Sequence, residues 1–163
     1  GKGGKPIEIV HEDRVLARIV RRCQELPGQR LFEYVDSEGE VQGVTSADVN
    51  QYLADLTGED FTSKDFRTWK GSVLGLSVLR EMGAAKSKTQ AHKNVVQAMR
   101  EVASELGNRP ATARKYYVHP AVIEAYEAGR LERLRPEPDD RREEAFGDLS
   151  DEEEHLMALL RNV

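Results

Sequence analysis

Cysteine is nearly missing from this chain: Cys23 is the only one in 163 residues. A single thiol closes no internal disulfide and builds no cysteine zinc site, and it suits a reducing compartment. Long apolar runs are missing too. Nothing approaches the roughly 20 residues of a membrane span, which excludes an integral helical membrane protein. No basic stretch followed by an apolar one opens the chain, so a cytoplasmic protein is expected. The sequence has no glycine-rich phosphate loop of the Walker or dinucleotide kind, and no Gly-x-Ser-x-Gly elbow. The four histidines, His11, His92, His119 and His155, show no metal-ligand spacing. The acids show no spacing that separates a catalytic pair from solvated helix faces.

What is present is charge, unevenly spread. Apolar residues make up 39 % and charged residues 33 %, a balance that fits one soluble domain. A chain of this length can bury about 70 % of its extended surface, enough for a real core. The net charge is −5, yet residues 136–163 alone hold ten acids and three bases. Residues 60–119 hold eleven bases and five acids. On charge alone a basic middle beside an acidic tail reads first as solvated helix faces, with a polyanion partner as the alternative.

The pattern is mainly α with a minor β element at the N-terminal end. Residues 6–10 alternate weakly, as a short strand would. Asp13 is placed to cap a helix to about Leu26, with Val15, Leu16, Ile19, Val20 and Cys23 on one stripe. Cys23 therefore reads as a small buried hydrophobe, and Pro27-Gly28 as a turn. Residues 31–35 and 41–44 flank Asp36-Ser37-Glu38-Gly39-Glu40 as a small hairpin or an extended pair. Thr45 and Asp48 form a capping box for a helix to Leu56, stopped by Gly58. A helix over about 64–82 carries the stripe Phe66, Trp69, Val73 and Leu76, and reads as central. The next, about 88–106, turns Ala91, Val95, Met99, Val102 and Leu106 inward before Gly107. Asn108 and Pro110 open a short helix with Tyr116 and Tyr117, and Pro120 opens another. Three segments are expected: a core over 1–134, a charged linker over 135–148 and an acidic helix over 149–163, capped by Ser150 and Glu153.

Three features can carry chemistry. Arg67, in KDFRTW, shares a helical face with Gly71, Leu74 and Val78. A guanidinium among apolar residues must find an anion or reach water; an internal carboxylate and a phosphate are both open. In GNRPATARKYYVHP, Arg109, Arg114 and Lys115 lie within eight positions of Tyr117. A phenol ionises near pH ~10 and is a poor nucleophile at neutrality. Nearby positive charge favours phenolate and draws in a phosphodiester. Tyr116 points about 100° away on a helix and can pack inward; two ordinary helix tyrosines remain an alternative. Gly1-Lys2-Gly3-Gly4-Lys5 is by itself only a flexible basic end or an appended scar.

Taken in order, GKGGK, LPGQRLFEYVD, VTSADVNQYLADLTGEDFTSKDFRTW and LGNRPATARKYYVHP resemble type IB DNA topoisomerases of the bacterial and poxvirus-like branch. The resemblance runs from about Lys2 to about Leu134. It implies the helical catalytic domain of that family and of the tyrosine recombinases. It also implies a reaction: a tyrosine attacks a backbone phosphodiester, leaves a 3′-phosphotyrosyl link and a free 5′-hydroxyl, and religation follows after the strand swivels. By motif, Tyr117 resembles the nucleophile and Arg67 a phosphate-clamping arginine. Asn108 stands where poxvirus members have histidine, and Lys2 resembles the general acid for the 5′-oxygen. An asparagine exchanges no proton at neutral pH, so position 108 is a hydrogen-bond donor. Preorganised donors of this kind are typically worth about 3–4 kcal/mol each.

The resemblance further implies double-stranded DNA as partner, a monomer associated with the nucleoid, no membrane, and no metal, ATP or other cofactor. Family members carry a second clamping arginine and a DNA-clamping domain upstream of the GK hairpin. The expectation is therefore a C-terminal catalytic fragment of a longer enzyme, weak or inert alone, with an acidic tail that competes with DNA for the basic face. A tyrosine recombinase is the nearest alternative, although Lys64 stands where recombinases show the histidine of His-x-x-Arg. A non-catalytic DNA-binding module is the third.

Overall fold

The computed structural model describes residues 12–26, 28–134 and 149–161. Lys2, the 6–10 strand, Pro27 and the 135–148 linker lie outside them. Among the described residues the chain forms seven helices and one two-stranded sheet, the mainly α class expected. It divides into two compact units, Gly1–Ser63 and Lys64–Val163.

The first unit is built by local polar signals. Asp13 caps helix α1 (Arg14–Cys23) by accepting the N–H groups of Val15 and Leu16 at 2.7 and 2.8 Å. Strands β1 (Glu33–Val35) and β2 (Val41–Gly43) pair antiparallel with Tyr34 opposite Gln42. Asp36 organises their turn, accepting from the N–H groups of Glu38 and Glu40 through Oδ1 and from Gln42 Nε2 through Oδ2. The Gln42 amide first, then the backbone donors, hold its carboxyl below the ordinary range. Helix α2 (Ser46–Thr57) has the Thr45–Asp48 capping box and ends at a left-handed Gly58, as its sequence requires.

The apolar stripe of α1 differs from expectation. Val15 is 62 % exposed and Ile19 50 %, and Cys23 is only half-buried. Periodicity identifies residues that share a face; it does not supply the surface that covers them. Among the described residues, none in this unit is buried.

The second unit holds the core. Helix α3 (Ser63–Glu81) and helix α4 (Lys88–Glu105) contribute Leu76, Leu79, Val95, Ala98 and Val102. Helix α5 (Pro110–Tyr116) contributes Ala113, and helix α6 (Pro120–Glu127) contributes Val122 and Ala125. A 3-10 turn over Leu131–Arg133 adds Leu131. The buried face of α3 begins one turn later than its apolar stripe suggests. Phe66 is 62 % exposed, while Gly71, Ser72, Gly75, Leu76, Val78 and Leu79 are buried. Small residues take the inner positions because another backbone segment passes there.

The acidic C-terminal segment is seated in the same core. Helix α7 (Asp151–Leu160) has the expected Ser150–Glu153 capping box and buries Leu156 and Leu159. Glu153 uses both oxygens: Oε2 accepts the Ser150 N–H at 3.0 Å, and Oε1 accepts the Trp69 indole N–H at 2.7 Å. The indole first, then the Ser150 amide, hold its carboxyl below the ordinary glutamate range. A tail freely tethered outside the core is therefore not what its leucines do.

Acid should report this contact. The depressed carboxyl of Glu153 contributes stability that is complete above its ordinary value of 4.5 and is lost as pH falls through the lower folded value. Trp69 is the sole tryptophan, so its emission follows the indole directly. We expect constant emission from neutrality to about pH 4.5 and a change below it. Glu153→Gln should flatten that acid limb. It should also lower the melting temperature by roughly 2–4 °C, for a half-exposed charge-assisted bond of about 1 kcal/mol. An unchanged acid limb in Glu153→Gln would assign the transition to another group.

Candidate active site

The candidate residues meet where the end of α4, the end of α5 and the start of α3 come together. Helix α4 closes with a Schellman arrangement: the Asn108 N–H bonds the Ala103 carbonyl at 2.7 Å, and the Gly107 N–H bonds the Ser104 carbonyl at 3.2 Å. Gly107 sits at φ 66°, the left-handed geometry that reverses the chain here. This leaves the Leu106 carbonyl at the negative end of the helix, facing outward for donors.

Two of the predicted site residues share that oxygen. Arg67 Nη2 donates to the Leu106 carbonyl at 2.9 Å, and Asn108 Nδ2 donates to it at 2.8 Å. The guanidinium of Arg67 also lies over the ring of Tyr117, with Cζ 5.0 Å from the centroid. Such a contact holds the ring face against the cation. Thus Arg67 and Asn108 meet on one backbone carbonyl, and Tyr117, fifty positions from Arg67, joins them through the Arg67 guanidinium. Lys2 lies outside the described residues.

The two tyrosines are unlike. Tyr117 is the half-buried C-cap of α5, with its N–H on the Ala113 carbonyl at 2.9 Å. Tyr116 does not pack inward: it is 47 % exposed, and the ammonium groups of Lys64 and Lys115 stand 5.7 and 5.1 Å from its ring centre. The inward direction at this point is taken by Ala113 and Val118, both buried.

Sequence reasoning missed the polar side of α3. Thr68 Oγ1 lies 3.3 Å from the carbonyl oxygens of both Lys64 and Tyr116, which share its one hydroxyl proton. Ser72, the one buried polar side chain among the described residues, donates to the Thr68 carbonyl at 2.7 Å and accepts the His119 N–H at 2.9 Å. His119 Nδ1 in turn accepts the Ala121 N–H at 3.3 Å and caps α6. The available signal was Thr68, Gly71, Ser72 and Gly75, small residues at helical spacing in a helix otherwise rich in bulky ones. In the site the arrangement offers fixed cationic and amide donors beside a phenol. No group of three or more His, Cys, Asp or Glu residues suited to a metal occurs among the described residues.

Comparison with known proteins gives the same direction. Residues 5–144 match the family model of the eukaryotic DNA topoisomerase I catalytic core. A DNA topoisomerase 1B of Acanthamoeba polyphaga mimivirus is 26 % identical over 134 residues, which cover 78 % of this chain and 40 % of that relative. The chain therefore spans less than half the length of the curated relative it matches. No helix among the described residues is long and apolar enough to cross a membrane.

Gly71 makes the closest demand on this geometry. A Cβ there would stand 2.3 Å from the Tyr117 carbonyl oxygen, a backbone atom, whereas one at Gly75 would meet Val118 Cγ1 at an ordinary 3.4 Å. In a helix interior, alanine gains about 1 kcal/mol over glycine. Overpacking costs about 1–3 kcal/mol. Gly71→Ala should therefore be net destabilising and Gly75→Ala neutral or stabilising, measured by urea midpoints. Equal midpoints for the two variants would mean that the backbone yields freely at Tyr117.

Proposed function

From the premise that the chain belongs to the family of the eukaryotic DNA topoisomerase I catalytic core, we propose that its site performs type IB strand cleavage and religation on double-stranded DNA. The observation that carries this reading is the Arg67 guanidinium over the Tyr117 ring, with Asn108 beside it on the Leu106 carbonyl. Tyr117 gives up its phenolic proton to water and its Oη attacks the phosphorus, the bond from phosphorus to the 5′-oxygen breaks, and that oxygen takes up a proton from a separate donor. Religation runs the same steps backwards, so bond energy is kept in the phosphotyrosyl link and no ATP is needed.

The donors suit the charge that develops. Arg67 has five N–H groups and Asn108 Nδ2 has two, and each uses one of them on Leu106. The remaining N–H groups are available to non-bridging oxygens of the pentacoordinate phosphorus without dismantling the resting site. Donors held in place this way favour the transition state because they need not reorganise. Asn108 offers no exchangeable proton, so the leaving oxygen requires another donor. Lys2 takes that role in this proposal.

The basic side chains of the same elements, Lys64, Lys70, Arg114 and Lys115, provide the field that attracts the duplex. The buried leucines of α7 mean that its acidic residues stay with the second unit, so any competition with DNA for the basic face is a fixed property and not that of a loose tail.

Two linked measurements test the proposal. In the longer enzyme that the resemblance implies, Tyr117→Phe should abolish the detergent-stable adduct with a nicked duplex while leaving duplex binding largely intact, and Tyr116→Phe should retain the adduct. Lys2→Ala should slow adduct formation by about 10²-fold or more. A duplex with sulfur as the bridging 5′-atom should restore that rate, because a thiolate leaves without a proton. Adducts that persist in Tyr117→Phe and map to Tyr116 would overturn the nucleophile. A Lys2→Ala defect that sulfur does not relieve would remove Lys2 from acid catalysis.

A further inference from the structure

The position of Tyr117 raises a mechanical problem. Helix α5 ends at Tyr116, and Tyr117 has left helical geometry, with φ −127° and ψ −6°. Its own backbone ladder therefore holds it only from the N-terminal side, through the bond to Ala113. An attacking phenol must be held to a fraction of an ångström, and a residue at a helix terminus is where the chain frays.

We infer that Thr68 and Ser72 are positioning residues for Tyr117, a role that rests on the cleavage reading above. The two hydroxyls clip the nucleophile's segment on both sides. Thr68 Oγ1 reaches the carbonyl of Tyr116, one residue before it, and Ser72 Oγ takes the N–H of His119, two residues after it. Ser72 is tied back to the Thr68 carbonyl at 2.7 Å, so the two clips are coupled through one turn of α3. Between them Gly71 lets the Tyr117 carbonyl approach to a distance no side chain would permit. One turn further, Val118 is 3 % exposed and lies beside Gly75.

The consequence lies in what else α3 carries. Arg67 is the residue immediately before Thr68. The helix that grips the backbone at 116–119 is the same rigid element that presents the guanidinium over the Tyr117 ring. The distance from nucleophile to clamp is thus set within one turn of one helix. Ser72 is 2 % exposed, and its hydroxyl acts through the His119 amide and the Thr68 carbonyl.

The test compares Thr68→Val, which keeps shape and removes the hydroxyl, with Thr68→Ser, which keeps the hydroxyl, and adds Ser72→Ala. Adduct formation on the nicked duplex is measured as a function of DNA concentration. A nuclear Overhauser contact between the Arg67 side chain and the Tyr117 ring is followed in the free protein. Thr68→Val and Ser72→Ala should lower the saturated rate by about 10²-fold, the effect of a misplacement near 1 Å. The DNA concentration for half-saturation should stay unchanged, and the Overhauser contact should weaken. Thr68→Ser should keep both rate and contact.

If Ser72→Ala does not fold, the Thr68 pair decides. Wild-type rates and an intact contact in Thr68→Val would overturn the inference, as would a loss expressed only in DNA affinity. Should no adduct form even when the chain is carried in the longer enzyme that the resemblance implies, the cleavage reading fails separately. The Overhauser contact then still decides whether the clip holds the ring.

Discussion

The approach of α3 to the backbone at Tyr117 is the constraint on which the rest of the second unit turns. Two chain segments pass so closely that a Cβ at position 71 would collide with a carbonyl oxygen. Everything nearby is consistent with that crossing. The inner face of α3 at the crossing is made of glycine and serine, its hydroxyls satisfy polar groups there, and its fully buried bulky residues begin at Leu76. A buried serine with both its donor and acceptor used stabilises a crossing of this kind; the same serine without partners would oppose it.

Local structure was largely legible because its signals are local. Asp13, the Thr45–Asp48 pair and the Ser150–Glu153 pair each place a side-chain acceptor against the first free N–H groups of a helix, and all three caps form. Packing was less legible. Phe66 opens an apolar stripe and Val15 belongs to another, yet both are mostly exposed. A stripe says which residues would be buried together, and only the covering segment decides whether they are. The last helix illustrates the converse: its charge suggests separation, while Leu156 and Leu159 bind it to the core.

The site divides in the same manner. Arg67, Asn108 and Tyr117 are recognisable as residue types within extended motifs. Their common meeting point is not, because the Leu106 carbonyl is a backbone atom and has no side-chain signature. Its availability follows from the way α4 ends at Gly107, a feature of helix termination and not of catalysis. The Arg67 and Asn108 donors are thus arranged around an oxygen that helix geometry leaves free. Thr68 and Ser72 fall between these cases: as small residues they were visible, but their partners lie 48 and 47 positions away and only the fold identifies them.

The contact between Trp69 and Glu153 spans 84 positions, nearly the full length of the second unit. On a ribosome, where synthesis proceeds at roughly 5–20 residues per second, α3 emerges several seconds before the helix that completes its packing. During that interval the core cluster lacks Leu156 and Leu159. The residues around Tyr117 are already synthesised, but the core that fixes their supporting helix is not. The nascent chain therefore holds Arg67, Asn108 and Tyr117 before the ten-residue helix α7 has joined the core that supports them.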